Sequence, residues 1–212
     1  MRQQPYEALC EAIRAKCQRD GWYGGEFYSP RWAEVEANEP CRYGFEFAPA
    51  TQAQIQATEE MLGFSLLPLL KTLYTRLANG GFGPAGGLRG VLGGFESLGS
   101  GYVPRSDDTL PAEYLFWSRK LAGEIDLSGS MREQLQEQKM IEIPRGLWPR
   151  HLLPVCNLGD VQEACVDNSS GQMFEAAAVR DDRVYGLQQK PYTFEEWLWH
   201  WARTSIVAHD YV

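Results

Sequence analysis

Asp160, Glu163, Asp167 and Glu175 crowd one stretch of the chain. Paired carboxylates can do general acid–base work when a cleft raises one pKa. Nothing in their spacing demands that use. Acids on the exposed face and turns of a sheet are usually solvated surface, and contact with a basic partner is their next most common use. With Asp181 and Asp182 they form a candidate interaction patch. Phe82, at the tip of a glycine-rich loop, is a further candidate, as an aromatic anchor for a partner's pocket. The competing reading tucks it against Tyr74 as the apolar closure after a helix C-terminus.

Other chemistry has less behind it. Gly81-Phe82-Gly83-Pro84-Ala85-Gly86 fits G-x-G-x-x-G, but it follows a helix rather than a strand and contains Pro84. No Gly-Lys-Ser/Thr is present to hold phosphate and magnesium, so no nucleotide cofactor is expected. The three histidines, His151, His200 and His209, are not spaced as a metal set, and no C-x-x-C occurs, so no metal site is expected. Cys10, Cys17, Cys41, Cys156 and Cys165 are odd in number and scattered, which fits reduced packing thiols. Cys156 and Cys165 fall on neighbouring strands. No serine or cysteine sits in a nucleophile elbow, so no catalytic residue is assigned and no enzyme is expected.

Composition narrows the partners. The 212 residues are 44% apolar, enough for a self-sufficient core, and carry 20 Lys+Arg against 28 Asp+Glu, a net charge of −8. Residues 151–212 hold four basic and nine acidic side chains, so −5 of the total lies there. That field repels a phosphate backbone and attracts a basic protein, so direct nucleic-acid binding is not expected. The N-terminus has no apolar h-region and no apolar run approaches membrane-spanning length; the expectation is a cytoplasmic protein.

The elements that must position these residues are legible in part. Tyr6, Leu9, Cys10, Ile13 and Cys17 line one face of a helix that ends at Asp20-Gly21. Irregular chain follows, then a short alternating run at Tyr43, Phe45 and Phe47. Residues 1–49 therefore read as an N-terminal helix plus irregular extension and 50–212 as the main domain, with one compact domain overall as the alternative. Thr51 and Gln54 make a capping box for a helix to Leu62 that Gly63 stops, and Pro68 starts another that ends at Asn79-Gly80. Ten glycines between Gly80 and Gly101 predict loop and short strands where backbones approach closely. Helical spacing returns at 111–121 and weakly at 131–140. Strand-like runs at 152–156, 161–166, 172–179 and 184–187, separated by turn residues, predict an antiparallel meander. Thr193 and Glu196 cap a closing helix with an apolar stripe of Phe194, Trp197, Leu198 and Trp201, with Trp199 off the stripe. The expected fold is α+β, a mostly antiparallel twisted sheet with flanking helices.

The blocks Thr51–Pro68, Leu73-Tyr74, Asn79-Gly80-Gly81-Phe82-Gly83-Pro84, Trp148-Pro149, Leu152–Asp160, Cys165-Val166-Asp167 and Phe194–Leu198, in that order, resemble the SUKH superfamily of fungal cell-wall synthesis regulators and bacterial relatives. The likeness spans most of 51–203 and leaves out 1–49 and much of 100–147. Leu158, where many relatives carry Trp, and the looser Ser65-Leu66-Leu67-Pro68 start depart from the pattern. The resemblance implies no enzymatic activity and no cofactor. For bacterial relatives it implies an immunity protein that neutralises a toxin domain, often a nuclease. The alternative it implies is an intracellular regulatory or scaffold module, to which residues 1–49 would add a docking surface. A hydrolase or transferase built on Asp160 and Asp167 is the remaining rival.

Overall fold

The computed structural model describes residues 6–20, 47–84, 87–95, 109–119, 123–125, 130–137, 140–144, 147–159, 162–179 and 184–204. The periodic segments become helices where predicted: α1 (Glu7–Asp20), α2 (Gln52–Leu62), α3 (Pro68–Arg76), α4 (Leu110–Arg119) and α6 (Phe194–Arg203), with α5 reduced to Ser130–Gln136. Both capping boxes form. The Thr51 hydroxyl accepts from the Gln54 amide at 3.2 Å while the Gln54 side chain accepts from the Thr51 amide at 2.9 Å. Thr193 and Glu196 repeat the exchange at 3.3 and 2.7 Å. Each box satisfies two amides that a helix start otherwise leaves orphaned.

The strands are β1 (Gly123–Ile125), β2 (Ile141–Pro144), β3 (Leu147–Pro149), β4 (Leu152–Gly159), β5 (Gln162–Asp167), β6 (Gln172–Val179) and β7 (Val184–Thr193). β4 to β7 form the expected meander, and β2 adds to β7, giving an antiparallel sheet of order β2-β7-β6-β5-β4. The register of β4 on β5 shifts between Pro154 and Cys156 and again between Asn157 and Gly159. β1 and β3 pair in parallel as a separate two-stranded sheet. Sequence reading missed β1, β2 and β3. Strands of three or four residues carry too little alternation to show a period, and their pairing depends on distant chain. The short strand expected at 43–47 lies almost wholly outside the described residues.

The α2–α3 corner and the β5–β6 turn hold one another. Gly63 ends α2 in the left-handed region at φ +78°, and its amide bonds to the Glu59 carbonyl at 2.9 Å. The Asn168 side chain then accepts from the Leu67 amide at 2.6 Å and donates to the Ser65 carbonyl at 2.7 Å. α1 joins the same core: Leu9, Cys10 and Ile13 are buried in one cluster with Leu73, Leu153, Val155 and Leu198. Glu7 pairs with Arg76 at 2.7 Å. Buried Lys16 donates to the Thr204 carbonyl at 2.7 Å, where the dipole of α6 favours a cation, and lies over the Trp201 ring.

Two glycines separate two kinds of constraint. A Cβ on Gly63 meets nothing within 4 Å, so Gly63→Ala pays only for the left-handed backbone, about 1–2 kcal/mol. A Cβ on Gly90 falls 2.4 Å from the Asn79 carbonyl oxygen and 2.4 Å from the Phe95 amide nitrogen. Gly90→Ala is therefore expected to cost about 3 kcal/mol or more, the larger loss in urea denaturation.

Candidate functional site

The segment after α3 packs as core. Asn79 is buried; its side-chain oxygen accepts from the Val91 amide at 2.8 Å, and its carbonyl accepts from the Phe95 amide at 2.8 Å. Gly81 and Leu88 close a narrower loop through Gly81 N to Leu88 O at 2.8 Å and Leu88 N to Phe82 O at 2.7 Å. The close backbone approach predicted from the glycines is present. The short strands are not: the described residues from 80 to 95 hold no strand. Phe82 is 2% exposed, so it is a core residue and not a loop-tip anchor, which corrects its place among the interaction candidates. The apolar chain around it competes for its ring more strongly than water does.

Arg89 projects from this loop into the interior. Its guanidinium meets Glu163 in bidentate fashion, Nη1 to Oε2 at 2.6 Å and Nη2 to Oε1 at 2.9 Å, and Nη1 also donates to the Pro154 carbonyl at 3.2 Å. The Arg89 amide donates to Val155 O at 2.9 Å, covering part of the edge of β4, and its carbonyl accepts from the Tyr74 hydroxyl at 2.7 Å. Both side chains are almost wholly out of water. Burial alone would lower the Arg89 pKa, but Glu163, with Glu113 nearby, holds it above its ordinary value. Burial pushes the Tyr74 hydroxyl up, opposed by Arg89, so the phenol stays neutral. Glu163 is thus no part of an exposed acidic patch, a second correction. β5 is buried continuously from Glu163 to Val166, so no outward face was available for it.

Of the other nominated acids, the two that are described, Asp167 and Glu175, are each engaged locally with different partners. Asp167 caps its own turn, accepting from the Ser169 amide at 2.9 Å and from the Ser169 and Ser170 hydroxyls, each at 2.7 Å. Glu175 pairs with Lys190 across β6 and β7. Asp160, Asp181 and Asp182 lie outside the described residues. Among the described residues, no group of three or more His, Cys, Asp or Glu side chains is placed to hold a metal. No described helix is long and apolar enough to cross a membrane.

What the structure does present is a small cleft of about 180 Å³ on the sheet, between the loop end at Pro84 and α6 at Trp197. Met173 and Tyr192 contribute to its walls, and the Glu175–Lys190 pair lies among its lining residues. Sequence reading named Glu175 but missed Lys190, Tyr192 and Trp197 as its companions. In the β6–β7 register Glu175 faces Gln188, and Lys190, two residues further along β7, reaches it diagonally, a pairing that depends on the register and not on any local pattern. Arg89 was missed too, although a lone cation between Leu88 and Val91 in apolar chain already called for a buried partner. Trp148 is buried, donates to the Leu152 carbonyl at 2.7 Å and stacks on Trp117, while half-buried Trp199 lies under the Arg203 guanidinium.

The profile of the SMI1 / KNR4 family (SUKH-1) matches residues 49–198. The chain belongs to this family. The SUKH-1 match takes in the whole glycine loop, the meander and the first half of α6, so the buried pair and the cleft both fall within it. No curated protein and no solved structure matches the chain. Within the SUKH-1 domain the β4–β5 thiols are not joined in a disulfide: Cys156 donates to the Pro84 carbonyl at 3.2 Å, and Cys165 is buried.

Removing one member of the central pair strands the other as a buried charge. Glu163→Gln or Arg89→Met should each cost about 3–5 kcal/mol in urea denaturation, whereas Arg89→Met with Glu163→Leu together should recover most of that loss. Burial raises the Cys165 thiol well above its ordinary value, with Glu163 adding to it, and raises Cys10 likewise. Both should resist iodoacetamide at pH 8 in the native protein and react once it is denatured, as peptide mapping would show. Because the folded state keeps those protons where the unfolded chain releases them, their contribution to stability is lost as pH rises above the thiols' ordinary value.

Proposed function

We propose that the protein is a non-enzymatic bacterial immunity protein that binds and neutralises a partner toxin domain in the cytoplasm. Family membership supports a protein-interaction role, and one observation carries the reading further. The described acids that were candidates for acid–base work are structurally committed: Glu163 to Arg89, and Asp167 to its turn. The remaining one, Glu175, faces a cleft far below the ~300–1,000 Å³ of small-molecule sites. A recess of that size suits a side chain of another protein better than a substrate. The net charge of −8 adds steering toward a basic partner, such as a nuclease, and with it the fast association a neutraliser needs.

The test is recovery and rescue. A tagged full-length chain in its host should retain one stoichiometric protein whose expression alone arrests growth of a second host, and co-expression of the chain should restore it. Binding should weaken between low and high salt as screening shortens the charge interaction. Recovery only of endogenous proteins that are harmless when expressed would contradict the immunity role and favour the regulatory module.

A further inference from the structure

We propose that the cleft between the glycine loop and α6 is an anchor site for a single arginine side chain of the protein partner, with Glu175 as the residue that receives its guanidinium. This rests on reading the chain as a partner-binding module and names the chemistry that its cleft selects. Four observations converge on it.

The first is size. About 180 Å³ holds one long side chain and little more. The second is charge. Glu175 and Lys190 are each about three-quarters removed from water, and the partner that the structure gives the Glu175 carboxylate is Lys190. A guanidinium can take both oxygens of a carboxylate, where a single ammonium makes a point contact. The Lys190 ammonium already donates to the Gln188 side-chain oxygen at 3.4 Å, a contact it can keep, and with 24% of its side chain in water it can turn toward solvent when the guanidinium takes Glu175.

The third observation is the wall. Trp197, Tyr192 and Phe174 line the cleft, and aromatic faces attract a cation and repel a carboxylate, so the site favours a guanidinium over an acid seeking Lys190. Met173 and Leu158 give the apolar stem of the arginine something to lie against. The fourth is the field: the chain carries a net charge of −8, which draws a basic side chain toward it.

The test needs no natural partner. N-acetyl-arginine amide is titrated into the full chain while the Trp197 indole N–H is followed by NMR, assigned through Trp197→Phe. The site predicts a saturable shift of that resonance, at least ~5-fold weaker binding in Glu175→Gln, and tighter binding in Lys190→Gln, which removes the internal competitor. N-acetyl-citrulline amide, the neutral analogue, should bind at least ~5-fold more weakly than the arginine probe. Equal binding of citrulline, preferential saturation by N-acetyl-glutamate amide, or no saturable shift would overturn the proposal. So would unchanged affinity in Glu175→Gln with a native circular dichroism spectrum. Any of these leaves the immunity reading standing for its own rescue experiment, and failure of that rescue leaves an arginine site detected by NMR standing in turn.

Discussion

A guanidinium and a carboxylate buried together impose the strictest condition in this protein. Taking Arg89 and Glu163 out of water costs several kcal/mol for each ion, and only near-ideal geometry with further hydrogen bonds offsets it. The chain meets most of that condition through backbone: Pro154 O accepts from Arg89, while Val155 O and Tyr74 fix the Arg89 peptide, and among the described side chains the buried Arg89 Nε is the atom left without a hydrogen-bond partner. One contact therefore joins the end of α3, the glycine loop and strands β4 and β5. The crowding at Gly90, where no side chain fits, is the steric counterpart of this electrostatic demand. A loop displaced by a residue would strand both charges.

The cleft depends on the same arrangement. Pro84 forms part of its wall only because the loop is folded back on the sheet, and its carbonyl is held by the Cys156 thiol. On the other side, the Thr193 capping box sets where α6 begins and so where Trp197 stands. Glu196 serves that box, and its hydrogen bonds with the Thr193 backbone and hydroxyl keep its carboxyl below the usual range, so its contribution fades as pH falls through that lowered value. Rigid supports on both flanks make a preorganised recess, which limits the entropy lost when a partner side chain enters it.

What the sequence revealed was local. Capping boxes need residues three apart, the meander needs alternation and turn chemistry, and the Leu62-Gly63-Phe64 corner needs one left-handed residue; each is complete within a few positions. The family blocks extended that reading across most of the chain. The buried pair is different in kind, because Arg89 and Glu163 lie 74 residues apart, and although Arg89 in apolar chain calls for a buried partner, nothing near it in sequence names Glu163. Glu163 was read as surface because a charged residue in a strand usually marks the solvent face, yet β5 lies between β6 and β4 and is buried without interruption from Glu163 to Val166. Likewise the glycine loop looked like a place to expose Phe82, when close backbone packing is what draws that ring inward.

Native-state hydrogen exchange of the loop amides tests most directly whether the pair makes this loop core. If Arg89 and Glu163 weld the loop to the sheet, the amides of Gly81, Leu88, Arg89, Val91 and Phe95 exchange only through global unfolding, with the same free energy as Cys165 and Phe174. In Glu163→Gln the sheet amides should follow the reduced global stability, while those loop amides should fall further, to a local opening below it. Loop amides that already exchange through a local opening in the wild-type protein, well below the sheet, would contradict it.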